Sequence, residues 1–304
     1  MRIKTMQKAV LVLILACHAL YAWPSFGLAP GSTTLKYLKT ATTARQAALA
    51  GSGMGLAQST DVSWHPLAAT FDSIAQVSLN QRIYSQHIGA SLSQVSWSQP
   101  LGAWRIFAGG DFLQWDKLQG RDEFGHSTGE FGAGTWSVRG GLAHRSATGW
   151  RQGLNIRYAQ QQIAEFVSHA FLVNLAWGYQ LAQRLYFSAG AFNWGWAGEF
   201  DKASETPPAE LKAGLSYRTH YRAFSSTVHL DLQRYVDEDP RLNSGLEIAW
   251  QQFIYLRLGA ALGNHKNLYG TGLGLRTQQF SLDYGYETNS HTAANHSFSL
   301  AVFF

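Results

Sequence analysis

One cysteine, Cys17, is all the thiol chemistry in this 304-residue chain. A lone thiol excludes an internal disulfide and a cysteine-based metal site. Charge is scarce too: Asp, Glu, Lys and Arg make up 14% of the residues, where soluble domains average about a quarter. Beyond the first two dozen residues, no apolar run approaches the roughly eighteen residues of a membrane-spanning helix. The eleven histidines include no His-x-x-x-His or His-Glu-x-x-His spacing, the local signature of a zinc site on a helix. His87, His144, His229 and His265 are scattered, and no metal or other cofactor is expected. Gly-x-Ser-x-Gly is absent, and His126–Ser127, neighbours in one loop, lack the geometry of a base and its nucleophile. The expectation is a protein that is not an enzyme.

Present in quantity are aromatic residues, at 13%, and 30 glycines. That mixture suits a barrel with an apolar band and aromatic girdles. The opening MRIKTMQKAVLVLILACHALYA reads as a signal peptide over residues 1–22. Arg2, Lys4 and Lys8 precede an apolar core, and Ala19 or Ala22 is the small residue at the cleavage site. A rival reading takes ILAC as a lipoprotein signal with Cys17 lipidated. Removing residues 1–22 takes away three basic residues and no acid, so the formal charge falls from +5 to +2. The basic isoelectric point is therefore no argument for a nucleic-acid partner.

From about Ala75 onward the chain alternates with period two, the signature of half-buried strands. Leu211, Leu215 and Tyr217 oppose Lys212, Ser216 and Arg218. Val228, Leu230 and Leu232 oppose Thr227, His229 and Asp231. The polar rows hold Arg82, Arg105, Arg139, Arg157, Arg218, Arg257 and Arg276 against Asp111, Asp231, Glu247, Asp283 and Glu287. Mixed signs favour an ion-paired interior over an ion-selective pore. Short links such as Gln251–Gln252 and Gln278–Gln279 alternate with long ones, Asp116–Gly132, Ala197–Pro208 and Tyr235–Leu242, as outer-membrane barrels require. The fold class is therefore all-β, an outer-membrane antiparallel β-barrel of about fourteen strands over residues 74–304. Its surroundings are outer-membrane lipid and lipopolysaccharide.

Residues 23–73 do not alternate. Their small-residue run ATTARQAALAGSGMGLAQ predicts a hatch or plug packed in the lumen. At the other end, HSFSLAVFF places Phe298, Leu300, Val302 and Phe304 on one face of an extended strand. This is expected to be the closing strand, because an open edge in lipid leaves backbone groups unpaired. It also looks like the signal read by the bacterial barrel-assembly machinery.

The stretch YLKTATTARQAALAGSGMGLAQSTDVSWHPLAATF resembles the N-terminal signature of the PorV/PorQ family, within the wider group of FadL-like barrels. Arg45, Ala48, Gly51, Asp61 and Pro66 stand at matching places. His65 stands where that family has Asn, and Leu67 where it has Ala. The segment DKLQGRDEFGHSTGEFG resembles the PorQ branch, and the ending resembles the family's Leu-Asp-Tyr penultimate strand and final strand. The resemblance implies an anchor in the surface attachment complex of the type IX secretion system, holding a PorZ-like surface protein beside a PorU-like sortase and a PorV-like barrel. Its docking surface would be the acidic loops, with Asp122, Glu123 and Glu130 in one and Asp237, Glu238 and Asp239 in another; a third acidic loop holds Glu199, Asp201 and Glu205. The alternatives are a FadL-like channel for hydrophobic small molecules, gated around Trp64–Pro66, and a PorV-like cargo shuttle.

Overall fold

Fourteen alternating segments can satisfy every backbone group in lipid only by pairing in a ring. A computed structural model describes residues 28–29, 31–85, 89–200, 203–263, 267–289 and 294–304. The expected signal peptide, Asp201, His87 and His265 lie outside these. The strands in chain order are β1 (Gln76–Ile83), β2 (Ala90–Leu101), β3 (Trp104–Trp115), β4 (Leu118–Arg121), β5 (Ser127–Phe131) and β6 (Ala133–Arg145). Then come β7 (Trp150–Ile163), β8 (Phe166–Ala182), β9 (Leu185–Ala197), β10 (Glu199–Phe200), β11 (Ala203–Ser204) and β12 (Glu210–Tyr221). The last are β13 (Phe224–Tyr235), β14 (Arg241–Trp250), β15 (Ile254–Leu262), β16 (Leu268–Arg276), β17 (Phe280–Asn289) and β18 (Asn295–Phe303).

Fourteen of these form one closed antiparallel barrel, while β4–β5 and β10–β11 are small two-stranded sheets in the long connections. Closure runs through β18, which pairs with β1 so that Val302 faces Val77 and Leu300 faces Leu79. The Phe304 amide adds a hydrogen bond to the Ala75 carbonyl at 3.0 Å. Phe298, Leu300, Val302 and Phe304 all point outward, and Ser297, Ser299, Ala301 and Phe303 inward.

The period-two pattern sorts the other strands the same way. Val138, Leu142, Val228, Leu230, Leu256 and Leu282 are exposed on the outer surface, where the hydrocarbon lies. Arg139, Thr227, His229, Arg257 and Asp283 are buried inside. The β2–β3, β6–β7, β8–β9, β12–β13, β14–β15 and β16–β17 links are short and share one rim with the start of β1 and the end of β18. Outer-membrane barrels place that rim in the periplasm.

Candidate functional site

The lumen is filled by the chain's own N-terminal segment, and small residues are what let it fit. A five-residue helix, α1 (Ala44–Ala48), is capped by the Thr43 hydroxyl, which accepts from the Gln46 amide. Ala44, Ala47 and Ala48 are buried against the wall. There β15 and β17 offer Gly259 and Gly285, where a Cβ would collide with the backbone of Leu49 and of Ala44 respectively. Further on, Pro66 opens a 3-10 turn (Pro66–Thr70) and packs on Gly153 of β7.

Charges fix this segment in place. The Arg45 guanidinium donates to Asp61 at 2.6 Å and to Glu247 of β14 at 3.0 Å. Glu247 also accepts from Arg257 of β15 at 2.7 Å, and Arg257 donates to Asp283 of β17 at 2.5 Å. Burial works against the charge of Arg45, but Glu247 and Asp61 outweigh it and raise its pKa. On the opposite wall Asp111 is held by Arg139, Arg157 and Ser137. Of the arginines in the polar rows, Arg82, Arg139, Arg157, Arg257 and Arg276 are thus joined to carboxylates, as an ion-paired interior requires.

His65 is fully buried, its Nε2 3.0 Å from the Met54 carbonyl. Burial pushes its pKa down to about 4, so the ring is neutral at physiological pH. Asp61 joins the set from the backbone side, since its carbonyl accepts from the His65 amide at 3.0 Å. Gly51, at φ +78°, ends the helical turn beside Asn243. Of the five hatch residues expected from sequence, Arg45, Asp61 and His65 therefore meet, while Gly51 and Pro66 serve the backbone path.

The acidic loops divide. Asp122 and Glu123 are exposed at the tip of the β4–β5 hairpin beside Phe124, which is 76% exposed. Glu130 pairs there with Lys117 at 3.2 Å. Asp239 is exposed as well. Asp237 corrects the docking expectation: its side chain is buried and ties down the N-terminal segment. It accepts from Lys39 Nζ at 2.5 Å and from the Thr33 hydroxyl at 3.0 Å, and Lys39 also reaches Glu238 at 2.8 Å. Nearby, the Thr34 amide donates to the Thr206 carbonyl at 2.9 Å. Asp237 is spent on the chain itself because a carboxylate buried here needs a cation. The segment thus spans the lumen from the long-loop rim, at Thr33–Thr40, to the short-turn rim, where Asp72 accepts from Arg276 at 2.6 Å. It is not confined to the periplasmic side, remote from the outer face. The residues that do this work, Thr33, Lys39 and Glu247, carry no local sequence signal.

Among the described residues, cavities open at both ends of the lumen. One of about 420 Å³ at the long-loop end is lined by Lys36, Tyr84, Glu210, Tyr235, Trp64 and Phe192, among others. One of about 550 Å³ at the short-turn end is lined by Phe71, Asp72, Arg218, Tyr255 and Arg276 among others. Between them lies an apolar cluster of Met54, Leu67, Ala176 and Phe192, with Trp64 and Phe71 packed on it. Trp64 and Phe192 border the first cavity and Phe71 the second.

The closed antiparallel barrel has solved counterparts. The toluene transporter TodX of P. putida superposes with a TM-score of 0.59 at 10% identity, covering 86% of this chain and 98% of that one. The toluene transporter TbuX of Ralstonia pickettii gives 0.60 at 12%, covering 86% and 98%. The CymD monoaromatic hydrocarbon channel gives 0.61 at 12%, covering 86% and 97%. This chain has their fold. No family model matches it, and neither does any curated protein. The narrower resemblance, to the PorV/PorQ family, is therefore left without support. The broader one, to FadL-like outer-membrane barrels, agrees with the fold of these neighbours, which are known as transporters and channels.

Proposed function

We propose that the protein is a gated outer-membrane channel for small hydrophobic molecules, with residues 33–72 as the gate. One observation carries the reading. Of the three apolar clusters among the described residues, the one built on Met54, Leu67, Ala176 and Phe192 borders both cavities through Trp64, Phe192 and Phe71, and two of its four core members belong to the N-terminal segment. Ligand sites are mostly apolar with a few placed polar groups, and this cluster has that character. That the structural neighbours are toluene transporters and a monoaromatic hydrocarbon channel supports the same class of ligand.

Uptake of a monoaromatic hydrocarbon into vesicles carrying the purified barrel tests it. Passage should saturate, fall with Phe192→Gln, and rise with Arg276→Gln, which loosens the tie to Asp72 at the short-turn rim. Rates equal to empty vesicles for all three proteins would sink the channel reading.

A second reading, the anchor of a surface protein, rests on the β4–β5 hairpin, whose tip presents Asp122, Glu123 and the exposed Phe124. A PorZ-like partner, the PorU-like sortase and the PorV-like barrel belong to that reading. Replacing residues 122–130 with a Gly/Ser linker should then release a surface protein from detergent-solubilised membranes while uptake is unchanged.

A further inference from the structure

The short-turn rim carries an arrangement of charge that neither the fold nor a hydrocarbon channel needs. Strands β3, β6 and β7 are neighbours. Their rim ends each put an arginine on the inner face: Arg105, Arg145 and Arg151. Arg145 stands directly opposite Arg151 in the β6–β7 register, and like charges facing each other across strands are destabilising. The charge of Arg145 acts on both Arg105 and Arg151.

Nothing nearby neutralises them. Arg151 is 6% exposed, its guanidinium lies 4.4 Å from the Phe71 ring centroid, and its Nε is buried without a hydrogen-bond partner. Arg105 spends its donors on backbone carbonyls, those of Asp72, Gly102 and Trp104. The carboxylate of Asp72 is already committed to Ser59 and Arg276, each at 2.6 Å. Among the described residues, no carboxylate pairs with Arg145 or Arg151. A buried, unpaired guanidinium beside two more is a geometry that an anion completes, because arginine pairs with carboxylate and phosphate through charge-assisted hydrogen bonds.

We propose that Arg105, Arg145 and Arg151 form an anion-binding site at the short-turn mouth, taking a carboxylate or phosphate group. The ring of Phe71, stacked on Arg151, supplies a wall. The group comes either from a soluble anion at the mouth or from the headgroup of a phospholipid in the facing leaflet. The site does not depend on passage: a barrel that binds an anion but admits no hydrocarbon would refute the channel alone.

Titration calorimetry on the full-length barrel in neutral detergent at about 0.1 M salt, where the Debye length is about 10 Å, tests it, with benzoate, inorganic phosphate and a short-chain phosphatidylglycerol as probes. Saturable binding of at least one probe is expected. Arg145→Gln, on an exposed side chain, should weaken it about tenfold or more, the usual scale for losing a hydrogen bond between charged groups. Arg121→Gln removes the same charge from the exposed β4–β5 hairpin at the opposite rim and should change affinity less than about twofold, since exposed charges beyond a Debye length are screened. Heat-modifiable migration on a gel checks that each variant is folded. Binding of phosphatidylglycerol but of neither free anion identifies the headgroup as the source. No saturable binding of any probe, or equal weakening by Arg121→Gln and Arg145→Gln, overturns the site.

Discussion

Arg45 is the residue on which the closed lumen turns, because it joins a carboxylate of the segment to one of the wall. Removing one member of a buried ion pair strands the others, at a cost of about 3–5 kcal/mol. Arg45→Met should therefore release residues 33–72 while leaving the barrel closed. Limited proteolysis would read this as cleavage within the segment and an intact β-sheet spectrum; an uncleaved segment would show that the network is dispensable. His65 gives a second handle. Its folded pKa of about 4 lies below the ordinary histidine value, so the unfolded state binds more protons on acidification. Stability of the packed segment should accordingly be complete above about pH 7, fall between about pH 6.5 and 4, and level off below. His65→Asn removes the titrating group and should flatten that profile. An unchanged profile would assign the acid sensitivity elsewhere.

At the scale of the element, the strand faces carry opposite penalties. Leu230 points outward, and an arginine there near the midplane costs about 2–4 kcal/mol. Ser216 points inward, where its hydroxyl lies 2.7 Å from His229 Nδ1 and Gly55 of the segment packs on its backbone. Ser216→Arg should thus leave the barrel inserted but expel the segment. Folding titrations into lipid, combined with proteolysis, separate the two outcomes, and equal loss of folding would contradict the assigned faces. These faces were legible in the sequence because period two needs only local information. The closing strand was legible for the same reason: Phe298, Leu300 and Val302 alternate with serine and alanine. The tie between Lys39 and Asp237 was not. It joins positions 198 apart, and an aspartate in an acidic turn reads the same whether it faces water or a buried lysine. The lumen pairings of Arg45, Glu247 and Arg257 were likewise hidden, since alternation says which side chains point inward but not which of them meet.

For the whole molecule, the N-terminal segment is fastened at both rims, by Lys39 and Thr33 to Asp237 at one and by Asp72 to Arg276 at the other. Those two ties differ in strength of surroundings. The outer one is buried around Asp237, whereas Asp72 and Arg276 are both part-exposed, and exposed pairs contribute at most about 1 kcal/mol. A gate so held should open by loosening its short-turn end first and pivoting on the outer tie. Thr34→Cys with Thr206→Cys tests that order, because the backbones of these residues already meet at 2.9 Å. Oxidation would fasten the outer end covalently. If the segment pivots there, hydrocarbon uptake should persist in the oxidised protein, and Arg276→Gln should raise it further. If uptake stops on oxidation and returns with a reductant, the outer end must leave its rim for the lumen to open. The channel reading would survive that result with the hinge moved to the opposite end.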